Sequence, residues 1–406
     1  MINVIGLGYI GLPTALMFAS HGLKVVGTDY NKKLISELNA GRTTFDEKGL
    51  DELFENAVAK DIEFSSEYVK TDIYVVAVPT PYDIDSKKID AHYVVLAVKN
   101  ILGVCEKGAT IIIESTVSPG TIDKFVRPVI IEKGFTIGED IHLVHAPERI
   151  IPGNMVYELE YNSRTIGADN KEIGEKIKDI YSFFCKGEIV VTDIRTAEMT
   201  KVIENTYRDI NIAFANELLK ICRSDNMDVY EIIRIANKHP RVNILQPGPG
   251  VGGHCISVDP WFLVGDYPGL ANIILTARNI NDSMPEFVLE RIHNIMQEKS
   301  LRDISRVGLY GLTYKENVDD FRESPTLQLL EKQRKHLAPE LKVYDPYIKT
   351  KIAENQYFDF DKFLDDIDLV VIMVAHDEII SNMDKLVNKV VLDTKKICKN
   401  IDYYNL

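Results

Sequence analysis

Ile2-Asn3-Val4-Ile5-Gly6-Leu7-Gly8-Tyr9-Ile10-Gly11 is the stretch that decides the fold. Residues 2–5 read as a short buried strand, and residues 13–20 read as the start of a helix. Between them stands the pattern G-x-G-x-x-G in its confirming context of strand, turn and helix. The first glycine allows the tight turn, the second admits a pyrophosphate, and the third lets helix and strand pack closely while the helix dipole faces the phosphates. Lys24-Val25-Val26-Gly27-Thr28-Asp29 then reads as a second strand ending in an acid. A carboxylate there accepts hydrogen bonds from ribose hydroxyls and repels a 2′-phosphate, so the expected cofactor is NAD rather than NADP. Gly6, Gly8, Tyr9, Ile10, Gly11 and Asp29 are the first cofactor candidates.

Further strands extend the same sheet. Residues 72–78 run into Pro79-Thr80-Pro81, and residues 109–113 run into Glu114-Ser115-Thr116. Residues 141–144 lead to His145-Ala146-Pro147-Glu148-Arg149. Ligands of such sheets bind beyond the carboxyl ends of the strands, which places Pro79, Thr80, Ser115 and Thr116 beside cofactor or substrate. Ser115 reads almost equally well as a plain turn residue. Glu148 is a candidate base or water-positioning group, although strand-end glutamates are common.

Residues 196–222 read as one long helix. Met199, Val202, Ile203, Thr206, Ile210, Ala213, Phe214, Leu218 and Ile221 follow helical spacing and are expected to form its buried face. Lys201, Asn205 and Arg208 form a stripe opposite, either solvated or lining a cleft. Residues 306–310, 341–346, 369–374 and 390–393 read as strands alternating with helices, hence a second parallel sheet. Lys315 and Arg322 are cations at its strand-end edge, suited to a diphosphate. The expected architecture is α/β, with two Rossmann-like doubly wound parallel-sheet domains joined by a long central helix and a helical middle domain. The expected boundaries are 1–190, 191–298 and 299–406.

A chain of 406 residues, 45% hydrophobic and 27% charged, is a globular protein of more than one domain. No apolar run reaches membrane-spanning length, and no leader segment is legible, so a cytoplasmic protein without membrane contact is expected. The net charge of −14 argues against a nucleic-acid partner and requires local cations or helix N-termini wherever an anion binds. Five scattered cysteines, Cys105, Cys185, Cys222, Cys255 and Cys398, suit reduced thiols rather than disulfides or zinc.

One stretch stands outside the sheet pattern: Pro247-Gly248-Pro249-Gly250-Val251-Gly252-Gly253-His254-Cys255-Ile256-Ser257-Val258-Asp259-Pro260. Its glycines permit positive φ angles and close approach to a ligand. Taken alone it is either a turn with a small packing cysteine or a loop that holds a thiol against a substrate. His239 and His254 do not complete a metal set with Cys255, so no metal is expected.

In order along the chain, the glycine motif with Tyr9, Val78-Pro79-Thr80-Pro81, Glu114-Ser115-Thr116, Pro147-Glu148-Arg149, Lys201 with Asn205, Gly252-Gly253-His254-Cys255 with Asp259, and Lys315 through Pro325 resemble the nucleotide-sugar 6-dehydrogenases, the UDP-glucose/GDP-mannose dehydrogenase family. The resemblance covers essentially the whole chain. Within the family, Arg195-Thr196-Ala197-Glu198-Met199, residues 211–218 and residues 239–262 are similar to the branch acting on N-acetylated sugars. Val258 stands where the glucose enzymes tend to carry lysine.

The resemblance implies oxidation of a C6 alcohol to a carboxylate with two NAD molecules in succession. The implied substrate is UDP-N-acetylmannosamine, with UDP-N-acetylglucosamine as the alternative, for a surface polysaccharide precursor. Cys255 would add to the aldehyde, since full oxidation needs a covalent partner that a single oxidation does not. Lys201 and Asn205 would stabilise oxyanions, and Asp259 would transfer protons through a water shared with Thr116. The implied role of Glu148 is to serve the hydrolytic water. Glu148, Arg149, Lys201, Asn205, Arg241, Asn243, Gly252 and Lys315 would contact substrate, with Arg241 reaching the site of a neighbouring subunit in a homodimer or larger homo-oligomer. Arg322 would serve the cofactor side and the diphosphate. The division of proton roles among Asp259, Glu148 and Lys201 stays open. A single-step hydroxyacid dehydrogenase would use Lys201 and Asn205 but have no need of Cys255.

Overall fold

The computed structural model of the chain describes residues 1–253, 255–335 and 341–406, so His254 of the glycine loop lies outside the described residues. The chain divides into two compact units, Met1–Glu204 and Asn205–Leu406.

The first unit holds an eight-stranded sheet built from β1 (Ile2–Ile5), β2 (Val25–Thr28), β3 (Glu63–Ser65), β4 (Ile73–Val76), β5 (Ala109–Ile113), β6 (Ile141–His145), β7 (Arg164–Ala168) and β8 (Ile189–Thr192). Its order is β3-β2-β1-β4-β5-β6-β7-β8. The first six strands follow the 3-2-1-4-5-6 order of a dinucleotide fold. β1, β2, β4 and β5 are buried throughout, as parallel strands covered on both faces must be. The sheet departs from the expected all-parallel form at one place: β7 pairs with β6 antiparallel, Val144 facing Ala168 and His145 facing Gly167. The segment from 146 to 163 returns along the same edge of the sheet instead of crossing to the other. β3 and β7 are short and carry polar residues, and no apolar run announces them.

The second unit repeats the plan. β9 (Val307–Tyr310), β10 (Lys342–Tyr344), β11 (Gln356–Tyr357), β12 (Leu369–Ile372), β13 (Val390–Asp393) and β14 (Tyr404–Asn405) form a parallel sheet in the order β11-β10-β9-β12-β13-β14. One hydrophobic cluster joins Leu309 and Val371 of this sheet to Val288 and Ile292 of the helix Met284–Glu298, and to Ala215 and Leu219 of the long helix.

The long helix, Ile194–Ser224, contributes its first eleven residues to the first unit and the rest to the second. Its faces follow the expectation in part: Val202, Thr206 and Ala213 are buried, and Met199, Ile210 and Leu218 are half-buried. Ile203, Phe214 and Ile221 are about half exposed, together with Tyr207. Lys201, Asn205, Asp209 and Asn216 are buried instead. Spacing identifies a stripe but not what covers it, and here polar partners cover the polar one. Among the described residues no helix is long and apolar enough to cross a membrane.

Candidate active site

In the first unit the glycine turn builds a cradle. Gly6 has φ +88° and donates its N–H to Thr28 O at 2.8 Å. A Cβ on Gly11 would lie 1.8 Å from Gly6 O, so only glycine lets the helix Gly11–Ser20 start against the turn. A Cβ on Gly8 would meet nothing within 4 Å, which leaves open space where a pyrophosphate would approach the backbone. Asp29, just past β2, accepts from Leu7 N at 2.9 Å and from Asn31 N at 2.8 Å. Each carboxylate oxygen keeps a second lone pair for a ribose hydroxyl. The residues present therefore fit a dinucleotide. Tyr9 packs on Phe45, Ile10 precedes the helix half-buried, and Pro79 is exposed. Thr80 Oγ1 donates to Thr116 O at 2.7 Å and ties the turns after β4 and β5 together. Ser115 does likewise through Val78 O at 2.7 Å.

Beyond β5 and β6 lies a buried ionic cluster. Arg164 at the start of β7 pairs with Glu148 through Nη2 and with Glu114 through Nη1 at 3.3 Å. Tyr181 OH donates to Glu114 at 3.1 Å. Burial pushes the Glu114 carboxyl up to about 7 against the pull of Arg164. Arg149 N donates to Glu148 at 2.6 Å. The Arg149 guanidinium is engaged by Ser163 O at 3.0 Å, Thr165 Oγ1 at 2.9 Å and Glu204 at 2.6 Å. Glu198, one turn before Lys201, accepts from Gly120 N and Ile122 N, and so holds the loop that follows Thr116. Burial raises its carboxyl to about 7. Lys201 is buried and Thr116 half-buried.

In the second unit Asn205 Nδ2 donates to Asp259 Oδ2 at 2.6 Å, and both residues are buried. Asp259 opens the helix Asp259–Asp266, and its N–H donates to Cys255 O at 2.9 Å. The thiol thus sits one turn before that helix. Cys255 is the one exposed cysteine of the five; Cys185, Cys222 and Cys398 are buried and Cys105 is intermediate. Two glycines of this loop make a close approach within the chain itself. A Cβ on Gly252 would meet Glu323 O at 2.6 Å and Tyr314 Cβ at 2.7 Å. Gly253, at φ +86°, would meet the Tyr314 ring at 2.8 Å, and its N–H donates to Arg322 O at 3.0 Å. The loop is pressed onto the segment 314–325, which supplies its seat.

That segment also carries Lys315, half-buried, and Arg322, whose guanidinium grips Asp320 at 2.6–3.1 Å. Arg241 and Asn243 are exposed, and Asn243 O accepts from Asn211 Nδ2 at 2.9 Å. A buried polar network supports the loop from the helix side. Gly248 N donates to Asn216 Oδ1 at 2.9 Å, Asn216 to Asn281 at 2.9 Å, and Asn281 to Asp209 at 2.8 Å. Arg278 closes it on Asp209 at 2.6 Å. Asp209, Arg278 and Asn281 escape a reading by sequence, as do Arg164 and Tyr181, while Asn216 and Glu198 enter it only as members of the stretches 211–218 and 195–199. The one signal for them is a charge or amide falling on a position that helical or strand spacing assigns to the core. Among the described residues no group of three or more His, Cys, Asp or Glu could hold a metal ion.

An open glycine cradle at the first crossover of a 3-2-1-4-5-6 sheet is the mark of a dinucleotide-binding protein, and that is the class the fold defines. Comparison with known proteins gives the family. The chain belongs to the UDP-glucose/GDP-mannose dehydrogenase family: its NAD binding domain matches residues 1–185, its central domain residues 195–283 and its UDP binding domain residues 308–400. NAD is the cofactor of the first domain. The UDP-N-acetyl-D-mannosamine dehydrogenase of Methanocaldococcus jannaschii is 44% identical, over 98% of this chain and 92% of its own. An NDP-N-acetyl-D-galactosaminuronic acid dehydrogenase of Ralstonia nicotianae is 39% identical, over 97% and 95%. The solved UDP-N-acetyl-mannosamine dehydrogenase Cap5O of Staphylococcus aureus is 45% identical, covers 100% of this chain and 97% of its own, and superposes with TM-score 0.89.

Proposed function

We propose that the chain is a UDP-N-acetyl-D-mannosamine 6-dehydrogenase that carries out both oxidations, alcohol to aldehyde and aldehyde to acid. The observation that carries this reading is Cys255: an exposed thiol on a turn backed by a buried Asp259 that Asn205 orients. The names of the relatives support the N-acetylated sugar, and so does Val258 beside that turn. NAD bound in the first domain accepts the hydride at each oxidation.

Lys201 and Asn205 stabilise the oxyanion as the alcohol loses its proton, with Asp259 and a water at Thr116 carrying that proton away. Cys255 Sγ then bonds to the aldehyde carbon, giving a thiohemiacetal from which the second hydride leaves and a thioester remains. Glu148 takes a proton from water as the water oxygen bonds to the acyl carbon. The C–S bond breaks with its electron pair going to sulfur. Gly252, Arg149, Asn243 and Lys315 line or support the sugar and diphosphate, and Arg322 serves the cofactor side. The parts 1–190, 191–298 and 299–406 divide the work as dinucleotide domain, catalytic and dimerisation domain, and UDP-sugar domain. The exposed apolar stripe of Ile203, Tyr207, Phe214 and Ile221 suits a second copy in a homodimer, with Arg241 reaching the neighbouring site. The product would feed a cytoplasmic route to surface polysaccharide.

An NADH-yield assay over a panel of UDP-sugars tests the substrate. UDP-N-acetylmannosamine should give two NADH per sugar, with kcat/KM about 100-fold above that for UDP-glucose. UDP-glucose as the better substrate would overturn the assignment, and one NADH per turnover would favour a single-step dehydrogenase. UDP-N-acetylglucosamine in the same panel decides the epimer.

Cofactor choice gives a second expected result. With Asp29 at the end of β2, kcat/KM for NAD should exceed that for NADP by at least about 100-fold, because a 2′-phosphate would face a carboxylate. Steady-state kinetics with both cofactors measure the ratio. A ratio near one would show that Asp29 does not select.

A further inference from the structure

We infer that Arg164 is a positioning residue for Glu148: its guanidinium aims that carboxylate for thioester hydrolysis, while Glu114 on the other side competes for the same cation. The inference rests on the hydrolytic reading of Glu148 proposed above.

The geometry begins with the one antiparallel pairing of the first sheet. Val144 faces Ala168 and His145 faces Gly167. Continued past the strand ends, that register sets Glu148 opposite Arg164. A parallel strand would have started at the far edge of the sheet and carried its first residue away from the strand ends where ligands bind. The reversed β7 instead brings a cation to the carboxyl edge, next to Glu148. β5 and β6 are parallel, with Ile113 beside His145, so Glu114 arrives at the same edge from the other side.

The cation is fully engaged and nearly dry. The side chains of Arg164, Glu114 and Glu148 are 4%, 0% and 5% exposed. The guanidinium lies over the Tyr181 ring at 4.3 Å and near Phe184 at 5.7 Å, so it is clamped on its flat face as well as at both ends. Glu148 therefore has one oxygen on Arg164 and the other on Arg149 N, a fixed plane with its remaining lone pairs available. A water held there would lose its proton to a carboxylate whose direction is set. Two buried carboxylates on one guanidinium leave one negative charge in excess. Burial raises the Glu114 carboxyl and so favours its neutral form, which leaves more of the charge of Arg164 to Glu148.

Lysine at 164 keeps the charge but cannot bridge two carboxylates or lie flat on Tyr181. The test compares Arg164→Lys and Glu148→Gln with the unchanged enzyme, saturated with UDP-N-acetylmannosamine and NAD. It reads the pre-steady-state NADH burst, the steady-state rate, and the mass of the quenched protein. For Arg164→Lys the burst should remain two NADH per site at close to the unchanged rate. Steady-state kcat should fall about 10- to 100-fold with KM within about twofold, and an acyl adduct on Cys255 should accumulate. Glu148→Gln should show the same adduct with a fall of about 100-fold or more. Glu148→Gln trapping the adduct while Arg164→Lys turns over normally would overturn the inference and leave the role of Glu148 standing. Loss of the burst together with turnover in Arg164→Lys would mark a merely structural arginine, and also overturns it. Failure of Glu148→Gln to trap any adduct would instead overturn the hydrolytic reading beneath it.

Discussion

Cys255→Ala is expected to stop the enzyme at the aldehyde. Uronate formation should fall by at least about 1000-fold, whereas binding of NAD and of the UDP-sugar should be nearly intact, because only a small exposed side chain is removed. The physical reason is that an aldehyde has no hydride to give until something has added to its carbon. The proposed nucleophile is the Cys255 thiol, one turn ahead of the helix Asp259–Asp266. The measurements are NADH per sugar consumed and the identity of the product. The unchanged enzyme should yield two NADH and a uronic acid. The variant should yield at most one, slowly, with an aldehyde that a hydrazine reagent traps. Uronate formed by Cys255→Ala at a near-normal rate would remove the thioester from the mechanism, whatever the substrate proves to be.

The second large effect is on stability. Arg278→Ala should lower the unfolding temperature of the second unit by about 6–20 °C. Arg278 is 1% exposed and Asp209 is fully buried, with burial pushing the Asp209 carboxyl up and the guanidinium holding it down. Removing the cation leaves a buried carboxylate with the amide of Asn281 as a remaining donor. Breaking a buried pair from one side costs about 3–5 kcal/mol. For a unit of about this size each kcal/mol corresponds to about 2–4 °C. Scanning calorimetry of the full chain resolves the effect. Replacing both partners together, Asp209→Leu with Arg278→Met, should recover most of the loss, since an apolar pair leaves no uncompensated buried charge. A shift below about 2 °C for Arg278→Ala would show that water or another group reaches Asp209.

Both predictions concern residues that differ in how they announce themselves. Cys255 is visible because glycines crowd around it and Asp259 follows at a fixed interval. Asp209 and Arg278 are not visible, because each is one charged residue in an otherwise ordinary helical pattern, 69 positions apart. The same contrast runs through the first unit. Glu148 is legible at a strand end, while Arg164, which holds it, reads as a surface charge before a short strand.

The long helix shows where spacing misleads. Its apolar residues read as an interior face, and Val202, Thr206 and Ala213 are buried, yet Ile203, Phe214 and Ile221 are about half exposed; of the polar stripe, Lys201 and Asn205 are buried and Arg208 is exposed. The period of apolar residues reports that two faces of a helix differ and does not say which one the rest of the chain covers. Lys201 and Asn205 lie one turn apart on one face whichever way that face turns.

What the amino-acid order determined by itself is therefore local. The glycine turn with its flanking strands, the acid after β2, the alternation that makes two parallel sheets, and the thiol among glycines each follow from neighbours within about ten to thirty residues. Steric freedom at glycine, the period of a strand and the dipole of a helix act over such distances. Only the tertiary structure decided what meets across long intervals: the reversal of β7, the sharing of Arg164 between Glu114 and Glu148, and the pressing of Gly252 and Gly253 onto Tyr314. Those contacts depend on how whole elements pack, where one guanidinium can satisfy two distant carboxylates and a missing Cβ is needed because another part of the chain already occupies the space.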